Sequence, residues 1–260
     1  MQLSGCILVK NNAKSIGYAV ESLYKYVDEL VIIDSGSTDG TIEIAKRYTD
    51  RIVFNKFKDF ADQRNFAITQ CQGDWIFMLD ADEMVGENFQ EVRKLLDGKF
   101  RSIAIPRYHI VNLEPLSYIV NKPHYLDWQT RFFKNDGKSH FYSPVHHKLS
   151  NYRPRLRCAI TNVFHYDLLF KTYDARKKQM DFYTAMDKHA GYNAMYLIED
   201  YPYHTAETVE SIDQYLLDRL RKDNNLISHE LHSVAWRTAY AKFLYNMRSE
   251  ISKLRYKIGI

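Results

Sequence analysis

The chain is organised around the stretch Trp75-Ile76-Phe77-Met78-Leu79-Asp80-Ala81-Asp82-Glu83, in which five apolar residues precede three carboxylates. A short apolar run that ends abruptly in polar residues is typical of a strand buried in a parallel sheet. Acids this close raise one another's pKa unless a cation neutralises them. A hard divalent ion such as Mg²⁺ or Mn²⁺ would do so. The alternative interpretation is a solvated acidic turn that caps a helix near Gly86.

Outward from this stretch, the first hundred residues alternate between strand and helix patterns. Short apolar runs predict strands at 3–9, 30–33, 52–54 and 75–79. Helix-spaced apolar residues predict one helix within 11–26 and a second after the turn at 35–40. Asp59 is the expected N-cap of a third helix, which ends near Gln70. Strands that alternate with helices imply parallel βαβ units, and therefore an open, doubly wound sheet.

From residue 100 to 164 the pattern changes to shorter β-prone pieces separated by prolines. The predicted pieces are 102–105, 129–133 and 158–164, and they favour a mixed or antiparallel extension of the sheet. From about Lys171 onward the sequence predicts helices, and apolar residues share one face in each. These residues are Ala175, Phe182 and Met186 in one helix, and Tyr240, Phe243, Met247, Ile251 and Leu254 in the last helix.

The predicted fold class is α/β, with a mixed, mainly parallel Rossmann-like sheet flanked by helices and a helical C-terminal extension. We expect a domain at 1–168 and a helical region at 169–260, which could bind an acceptor, pack on the domain or support a homo-oligomer.

Composition and charge exclude several classes of protein. The 260 residues are 45% hydrophobic and 26% charged, as in an ordinary globular protein. No apolar run approaches the roughly 20 residues of a membrane-spanning helix, and the first ten residues lack a signal-peptide layout. Three widely spaced cysteines argue against a disulfide framework and predict a cytoplasmic setting. The basic residues behind the net charge of +4 are dispersed, so nucleic acid is not an expected partner. They could instead hold the protein peripherally on the inner face of the cell membrane.

Polar side chains stand where predicted parallel strands end. Lys10 and Asn11 follow the first strand, Asp34 ends the second and Asp80 ends the fourth. Ligands of open α/β sheets bind beyond the carboxyl ends of the strands, so these residues are candidates for one binding site. Asp34 precedes a small-residue turn and could accept a hydrogen bond from a pyrimidine N–H or a ribose hydroxyl. The alternative is that the turn residues only cap the next helix.

Further motifs occur in a fixed order along roughly the first two-thirds of the chain, to about Tyr183. Together they resemble glycosyltransferase family 2, whose members have the GT-A fold, and within it the lipopolysaccharide-core glucosyltransferase-like subgroup. The motifs are Lys10-Asn11, Asp34-Ser35-Gly36-Ser37-Thr38-Asp39-Gly40-Thr41, Phe60-Ala61-Asp62-Gln63-Arg64-Asn65, Gly73-Asp74-Trp75, Asp80-Ala81-Asp82-Glu83, Leu126-Asp127-Trp128-Gln129-Thr130-Arg131-Phe132-Phe133, Val145-His146-His147 and His165-Tyr166.

The resemblance implies a role for each matching residue on the donor side. Asp34 would lie near the nucleotide base, and Arg64 near the base or the diphosphate. Asp82 would bind Mn²⁺ or Mg²⁺ directly, while Asp80 would hold ribose, metal-bound water or the metal. His165 falls where many such enzymes place a later metal or diphosphate ligand. The full set of implied nucleotide-sugar-binding residues is Lys10, Asn11, Asp34, Arg64, Asp80 and Arg131.

The implied reaction also needs a carboxylate that takes the proton of the acceptor hydroxyl. Asp127 is the candidate base, and Glu83 competes with it. Arg131 could brace the diphosphate or simply pair with an acid. Two residues depart from the family pattern, since Asn12 and His147 stand where a Glu is usual. These departures affect the expected acceptor contacts more than the donor chemistry.

The resemblance thus implies a metal-dependent, inverting sugar transfer from a nucleoside-diphosphate sugar, with UDP-hexose expected. The acceptor would be a hydroxyl of a cell-envelope glycan, a lipid-linked glycan or another molecule. Two alternatives stay open. A nucleotidyltransferase would carry a Gly-rich loop after its first strand, which residues 10–14 lack. A catalytically silent nucleotide-sugar-binding homologue would keep the fold without turnover, and the intact Asp80 and Asp82 pair argues against it.

Overall fold

The computed structural model describes residues 1–120, 127–187, 197–198, 206–208, 214–223 and 226–227. Strands and helices alternate as far as residue 93, and strands dominate from there to residue 165. The early strands are β1 (Leu3–Val9), β2 (Glu29–Asp34), β3 (Ile52–Phe54), β4 (Trp75–Asp80) and β5 (Glu83–Val85). The later strands are β6 (Ser102–Leu113), β7 (Leu116–Ile119), β8 (Asp127–Lys134), β9 (Phe141–Tyr142), β10 (Lys148–Leu149), β11 (Arg155–Arg157), β12 (Val163–His165) and β13 (Ala206–Thr208).

The helices connect the early strands and follow the late ones. They are α1 (Ile16–Leu23), which a 3₁₀ turn at Tyr24–Tyr26 continues, α2 (Thr41–Ala45), α3 (Phe60–Gln70), α4 (Phe89–Arg93), α5 (Asp167–Phe170), α6 (Tyr173–Met186) and α7 (Gln214–Arg221). The predicted cap of α3 is confirmed, because the Asp62 N–H donates to Asp59 Oδ1 at 2.8 Å. This bond satisfies one of the amides that the first turn of a helix leaves unpaired.

Most of the strands form one mixed sheet in the order β13-β7-β6-β8-β4-β1-β2-β3. The strands β4, β1, β2 and β3 are parallel, whereas β8 lies antiparallel between β4 and β6. Beside β6 lie the short parallel strands β11 and β12, and β5 pairs with β12. The predicted α/β fold with a mixed sheet and an antiparallel extension is confirmed.

The strand that ends in the acid cluster is buried on both faces. Trp75, Phe77 and Leu79 pack in one hydrophobic core with residues of α1, and Ile76 and Met78 pack in a second core with residues of α3. Neighbouring residues of a strand point to opposite faces, so a strand covered on both sides reads as a continuous apolar run. This packing fixes where β4 ends, and therefore where its acidic residues emerge.

Some predicted elements have different extents. The piece expected at 102–105 is part of the twelve-residue strand β6, which continues through Pro106. The strand expected at 158–164 is wrong for most of its length, because only Val163–His165 is extended in a ladder. On α6, Ala175 and Phe182 are exposed, so their shared apolar face is not a core face.

Two expectations concern the C-terminal part of the chain. The predicted last helix, at 240–254, lies outside the described residues, and the boundary near residue 168 stays a prediction. Within the described ranges, we find no helix with the length and apolar character needed to cross a bilayer.

Candidate active site

A cleft of about 520 Å³ opens at the carboxyl ends of β1 and β4, where the sequence predicts a binding site. Both acidic and basic groups line it. The charged residues that line it are Lys10, Arg64, Asp80, Asp82, Arg107, Asp167 and Lys171, with His146, His147 and His165. Acids and cations that line one cleft suit a ligand that carries both a metal ion and a diphosphate.

Asp80 is held between two guanidinium groups. Arg64 from α3 donates to its Oδ1 at 2.5 Å, and Arg131 from β8 donates to its Oδ2 at 2.9 Å. Burial alone would raise the pKa of Asp80, but Arg131 and Arg64 together hold that pKa well below its usual range. Asp80 is therefore ionised and fixed in orientation.

Asp82 belongs to a second group of ligand atoms. One atom each from Asp82, His165 and Asp167 lies within 4.8 Å of the others. His165 Nε2 is 3.5 Å from Asp82 Oδ1, and Lys171 Nζ is 3.9 Å from Asp82 Oδ2 while it also pairs with Asp167. Burial opposes ionisation of Asp82, yet His165 and Lys171 lower its pKa.

This group fits a divalent cation. Ligands around an octahedral ion with bonds of about 2.1 Å stand roughly 3 to 4 Å apart, and the three atoms, which all lie within 4.8 Å of one another, need only small shifts to reach this spacing. Two carboxylate oxygens and one imidazole nitrogen suit Mn²⁺ better than Mg²⁺, which favours oxygen. The three predicted metal residues therefore do not form one group. Asp82 and His165 lie together, whereas Asp80 is paired with two arginines.

Glu83 begins β5 and is fully buried, so the alternative of a solvated acidic turn is wrong. Its Oε1 accepts hydrogen bonds from Arg131 and, at 3.3 Å, from Arg107 Nη1. Its Oε2 accepts the Asp80 N–H at 3.2 Å. Burial raises the pKa of Glu83, and Arg131 opposes that rise. Removing one partner of such a buried pair costs about 3–5 kcal/mol, which gives Glu83 a structural role in any event.

Asp127 stands at the start of β8 and is surrounded by hydrogen-bond donors. Arg107 Nε and Nη2 each lie 2.7 Å from its Oδ2, His109 Nε2 lies 3.3 Å from the same oxygen, and Gln129 donates to Oδ1. Burial would raise the pKa of Asp127, but Arg107 and His109 hold it well below its usual range. The side chain is 17% exposed.

Of the remaining predicted residues, one lines the cleft and the others make hydrogen bonds within the adjoining turns. Lys10 lines the cleft, and its N–H donates to Asn12 Oδ1 at 2.8 Å. Asn11 has a left-handed backbone, with φ of 55°, and its side-chain oxygen accepts the Thr38 N–H. Asp34 accepts the N–H groups of Gly36 and Ser37 at 3.1 and 3.0 Å. Among the described residues that line the cleft we do not find Asn11, Asp34, Glu83, Asp127 or Arg131.

An aromatic wall closes one side of the cleft. Phe57 contacts Phe60 at 5.1 Å and Phe182 of α6 at 6.2 Å, measured between ring centroids, and Phe60 contacts Tyr183 at 5.6 Å. All four rings line the cleft, and Phe182 is 48% exposed. This position explains why Phe182 is not in a core.

Sequence reasoning missed several residues of the site. Asp167 and Lys171 follow His165 at the short helix α5. An acid two residues after a predicted metal ligand could have indicated Asp167 as a further ligand. Arg107 and His109 lie inside β6 without any motif. His147, noted only as a departure from the family pattern, lines the cleft, where burial and then Arg64 lower the pKa of its imidazole.

Residues 4–197 match the family described as Glycosyl transferase family 2, and the chain belongs to this family. The predicted family is therefore confirmed, and the mixed sheet with its cleft is the predicted GT-A fold. Membership of this family also decides against the nucleotidyltransferase alternative.

The curated relatives include one glycosyltransferase named for lipopolysaccharide core biosynthesis and several named as uncharacterized glycosyltransferases. The lipopolysaccharide core biosynthesis glycosyltransferase LpsC of Rhizobium meliloti is 36% identical over 97 residues, which are 35% of this chain and 36% of LpsC. An uncharacterized glycosyltransferase of Rickettsia typhi is 24% identical over 82% of this chain and 62% of its own length. Against these two relatives the chain therefore spans between about a third and two thirds of the relative's length.

Solved structures with a related fold share less sequence. Staphylococcus aureus TarS is 14% identical over 78% of this chain and 43% of its own, with a TM-score of 0.45. Mycobacterium tuberculosis glucosyl-3-phosphoglycerate synthase, in complex with Mn²⁺ and UDP-glucose, is 22% identical over 41% of this chain and 43% of its own, with a TM-score of 0.36.

Proposed function

We propose that this protein is a glycosyltransferase that uses Mn²⁺ or Mg²⁺ to move a hexose, with inversion, from a UDP-sugar to an acceptor hydroxyl. The observation that carries the proposal is one cleft in which Asp82, His165 and Asp167 converge while Arg64, Arg107 and Lys171 surround them. Membership of glycosyltransferase family 2 sets the reaction class, and UDP-hexose is the donor that the sequence resemblance implies.

The nucleotide would lie across the ends of β1 and β2. Phe57 and Phe60 offer flat apolar rings for the base, and Gln63 of α3 offers an amide. Lys10 and Arg64 would hold the diphosphate, while Asp34 and Asn11 keep the adjoining turn in shape. Arg131 would act indirectly, by orienting Asp80.

Asp82, with His165 and Asp167, would hold the divalent cation. A cation at this position neutralises charge on the departing nucleoside diphosphate. The side chains supply the rest of the electrostatics, because the cations Lys171 and Arg107 both line the cleft. Asp80, fixed by two guanidiniums, is placed to accept a hydrogen bond from ribose or from a water.

We propose Asp127 as the catalytic base. It is ionised, and its carboxylate is partly exposed whereas that of Glu83 is not. Asp127 does not itself line the cleft, but its donor Gln129 does, so a hydroxyl that displaces Gln129 could pass a proton to Asp127. Glu83 remains the competing candidate.

The acceptor would be a hydroxyl of a cell-envelope glycan. LpsC, a relative over a third of the chain, is named for lipopolysaccharide core biosynthesis, and this supports the proposal. A lipid-linked acceptor would bring the protein to the inner face of the membrane as a peripheral protein, and the region after residue 168 is where such docking or homo-oligomer formation would occur.

The test is thermal unfolding of the protein with UDP-sugars, with and without Mn²⁺. We expect UDP-hexose to stabilise the wild type only when Mn²⁺ is present, and Asp82→Asn to abolish this stabilisation. Glu91→Gln, which changes an exposed acid of α4 outside the cleft, is the matched control and should behave as the wild type. Stabilisation by nucleoside triphosphates alone, without any response to UDP-sugars, would contradict the proposal.

A further inference from the structure

A continuous line of polar contacts joins the proposed base to the proposed metal site. Asp127 Oδ2 is 3.3 Å from His109 Nε2, and His109 Nδ1 is 3.1 Å from His165 Nδ1. His165 Nε2 then lies 3.5 Å from Asp82 Oδ1. The two histidines are directly aligned in the parallel pairing of β6 with β12 and are only 3% and 8% exposed.

The contact between the two Nδ1 atoms needs one proton, and the surroundings decide which ring carries it. Asp127 is ionised, so it has no proton to give, and His109 Nε2 must donate to it. His109 is 3% exposed and shares Asp127 Oδ2 with the Arg107 guanidinium, and a second positive charge there is unfavourable, so its ring holds one proton only. His109 Nδ1 is therefore an acceptor, and the proton between the rings belongs to His165 Nδ1.

We propose that His109 is a positioning residue that fixes His165 as the Nδ1–H tautomer, so that His165 Nε2 presents its lone pair to a divalent cation beside Asp82. The ring nitrogen that binds a metal is set by the hydrogen bond that the other nitrogen makes. Here that bond comes from a second histidine, which Asp127 in turn orients. The inference rests on the proposed function only for the cation and not for the tautomer.

Two substitutions of His109 distinguish its role as a hydrogen-bond acceptor from its contribution to packing. His109→Leu removes the acceptor for the His165 Nδ1–H, whereas His109→Asn places a carbonyl oxygen near the lost Nδ1. We expect His109→Leu to weaken Mn²⁺ binding in the presence of UDP by about tenfold or more, as loss of a metal ligand's hydrogen-bond partner does. His109→Asn should restore most of the affinity. Calorimetric titration of Mn²⁺ gives the affinities, and the thermal midpoints show that both variants are folded.

Nitrogen-15 spectra of histidine-labelled wild type, without metal and at a pH where His165 is neutral, read the tautomer directly. We expect the proton on His165 Nδ1, because that atom lies 3.1 Å from its acceptor on His109 whereas Nε2 lies 3.5 Å from Asp82. A proton on Nε2 would overturn the inference, as would equal Mn²⁺ affinity in His109→Leu and the wild type, or equal losses in His109→Leu and His109→Asn. If the wild type binds no Mn²⁺ with UDP, the proposed function fails and takes the metal-binding part of the inference with it, whereas the spectra still decide the tautomer.

Discussion

Asp127 is the residue whose chemical role is most open to a direct test. Asp127→Asn keeps the shape of the side chain but removes its capacity to accept a proton. We expect sugar transfer to fall by about 10²–10⁴-fold, the usual contribution of general base catalysis. UDP–Mn²⁺ binding should fall far less, because the Asn carbonyl oxygen can still accept the hydrogen bond from His109 Nε2. Release of UDP in steady-state kinetics and calorimetric titration of UDP measure the two effects.

The same substitution loosens Arg107 and His109, so the thermal midpoint is the control for a merely structural effect. If transfer remains substantial in folded Asp127→Asn, the base lies elsewhere. Glu83→Gln would then be tested, with allowance for the instability that a broken buried ion pair causes.

Lys171 is a residue whose removal should strengthen the binding of the metal ion. Its ammonium pairs with Asp167 and lies 3.9 Å from Asp82, and these acids raise the pKa of Lys171 although burial lowers it. A divalent cation entering this group is repelled by that charge. We expect Lys171→Met to strengthen Mn²⁺ binding to nucleotide-free protein by about fivefold, or roughly 1 kcal/mol, the lower end of a 4 Å charge interaction. UDP binding should weaken.

Lys178→Met, which changes an exposed residue of α6, is the matched control for Lys171→Met and should leave both affinities unaltered. Mn²⁺ titrations followed by electron paramagnetic resonance measure the free ion directly. Weaker Mn²⁺ binding by Lys171→Met would mean that Lys171 does not compete with the cation.

At the scale of single residues, the sequence identifies groups that follow strands and cannot identify groups that strand pairing brings together. Asp80 and Asp82 emerge from an apolar run, and a polar break in such a run is visible in one dimension. Arg107 and His109 reach the site only because β6 pairs with β8 and β12. Their partners are 18 to 56 positions away in sequence, and no local pattern encodes those contacts.

At the scale of elements, the crossover from α3 to β4 depends on a close backbone approach at Gly73. Its N–H donates to Ser4 Oγ at 2.7 Å, and a Cβ there would lie 2.7 Å from Ser4 Oγ and 2.8 Å from Ser4 N. We expect Gly73→Ala to lower stability by about 1–3 kcal/mol, as overpacking does. Chemical denaturation of the two proteins measures the difference.

Gly40→Ala is the control for Gly73→Ala. A Cβ at Gly40 would lie 3.8 Å from Ala13 Cβ, which is an ordinary contact, and the φ of Gly40 is −71°. We expect a change within about 0.5 kcal/mol, as for a surface substitution. Equal stability of Gly73→Ala and the wild type would show that β1 can move aside.

Element prediction was more accurate for the parallel strands and β4 than for β6 and the short strands beside it. In the parallel half, helices cover both faces, so strands appear as apolar runs and helices as 3.6-residue patterns. In β6, Pro106 suggests a break, yet the strand continues because its neighbours on both sides hold it extended. Single-sequence propensity carries no information about such neighbours.

At the scale of the whole molecule, the cleft predicts that metal and nucleotide bind as a coupled pair. Asp82 and Asp167 place negative charge where a diphosphate would lie, and Arg64 and Lys171 place positive charge near the cation position. Bound alone, the diphosphate is repelled by the two acids and the cation is repelled by the two basic residues. When both bind, each ligand neutralises the charge that repels the other. By linkage, Mn²⁺ must raise the affinity for UDP by the same factor as UDP raises the affinity for Mn²⁺.

We expect this coupling factor to be about tenfold or more, within the usual range for coupled sites. Relative to protein saturated with Mn²⁺, UDP at about 100 times its dissociation constant should add roughly 2.7 kcal/mol of stability and raise the thermal midpoint by about 5–10 °C. Asp82→Asn should reduce the factor towards one, because it removes the charge that opposes the free diphosphate and binds the cation. Calorimetric titrations in both orders measure the two factors.

Independent binding of UDP and Mn²⁺ by the wild type would place the cation outside the nucleotide cleft. Coupled binding without transfer to any acceptor would instead favour a silent homologue.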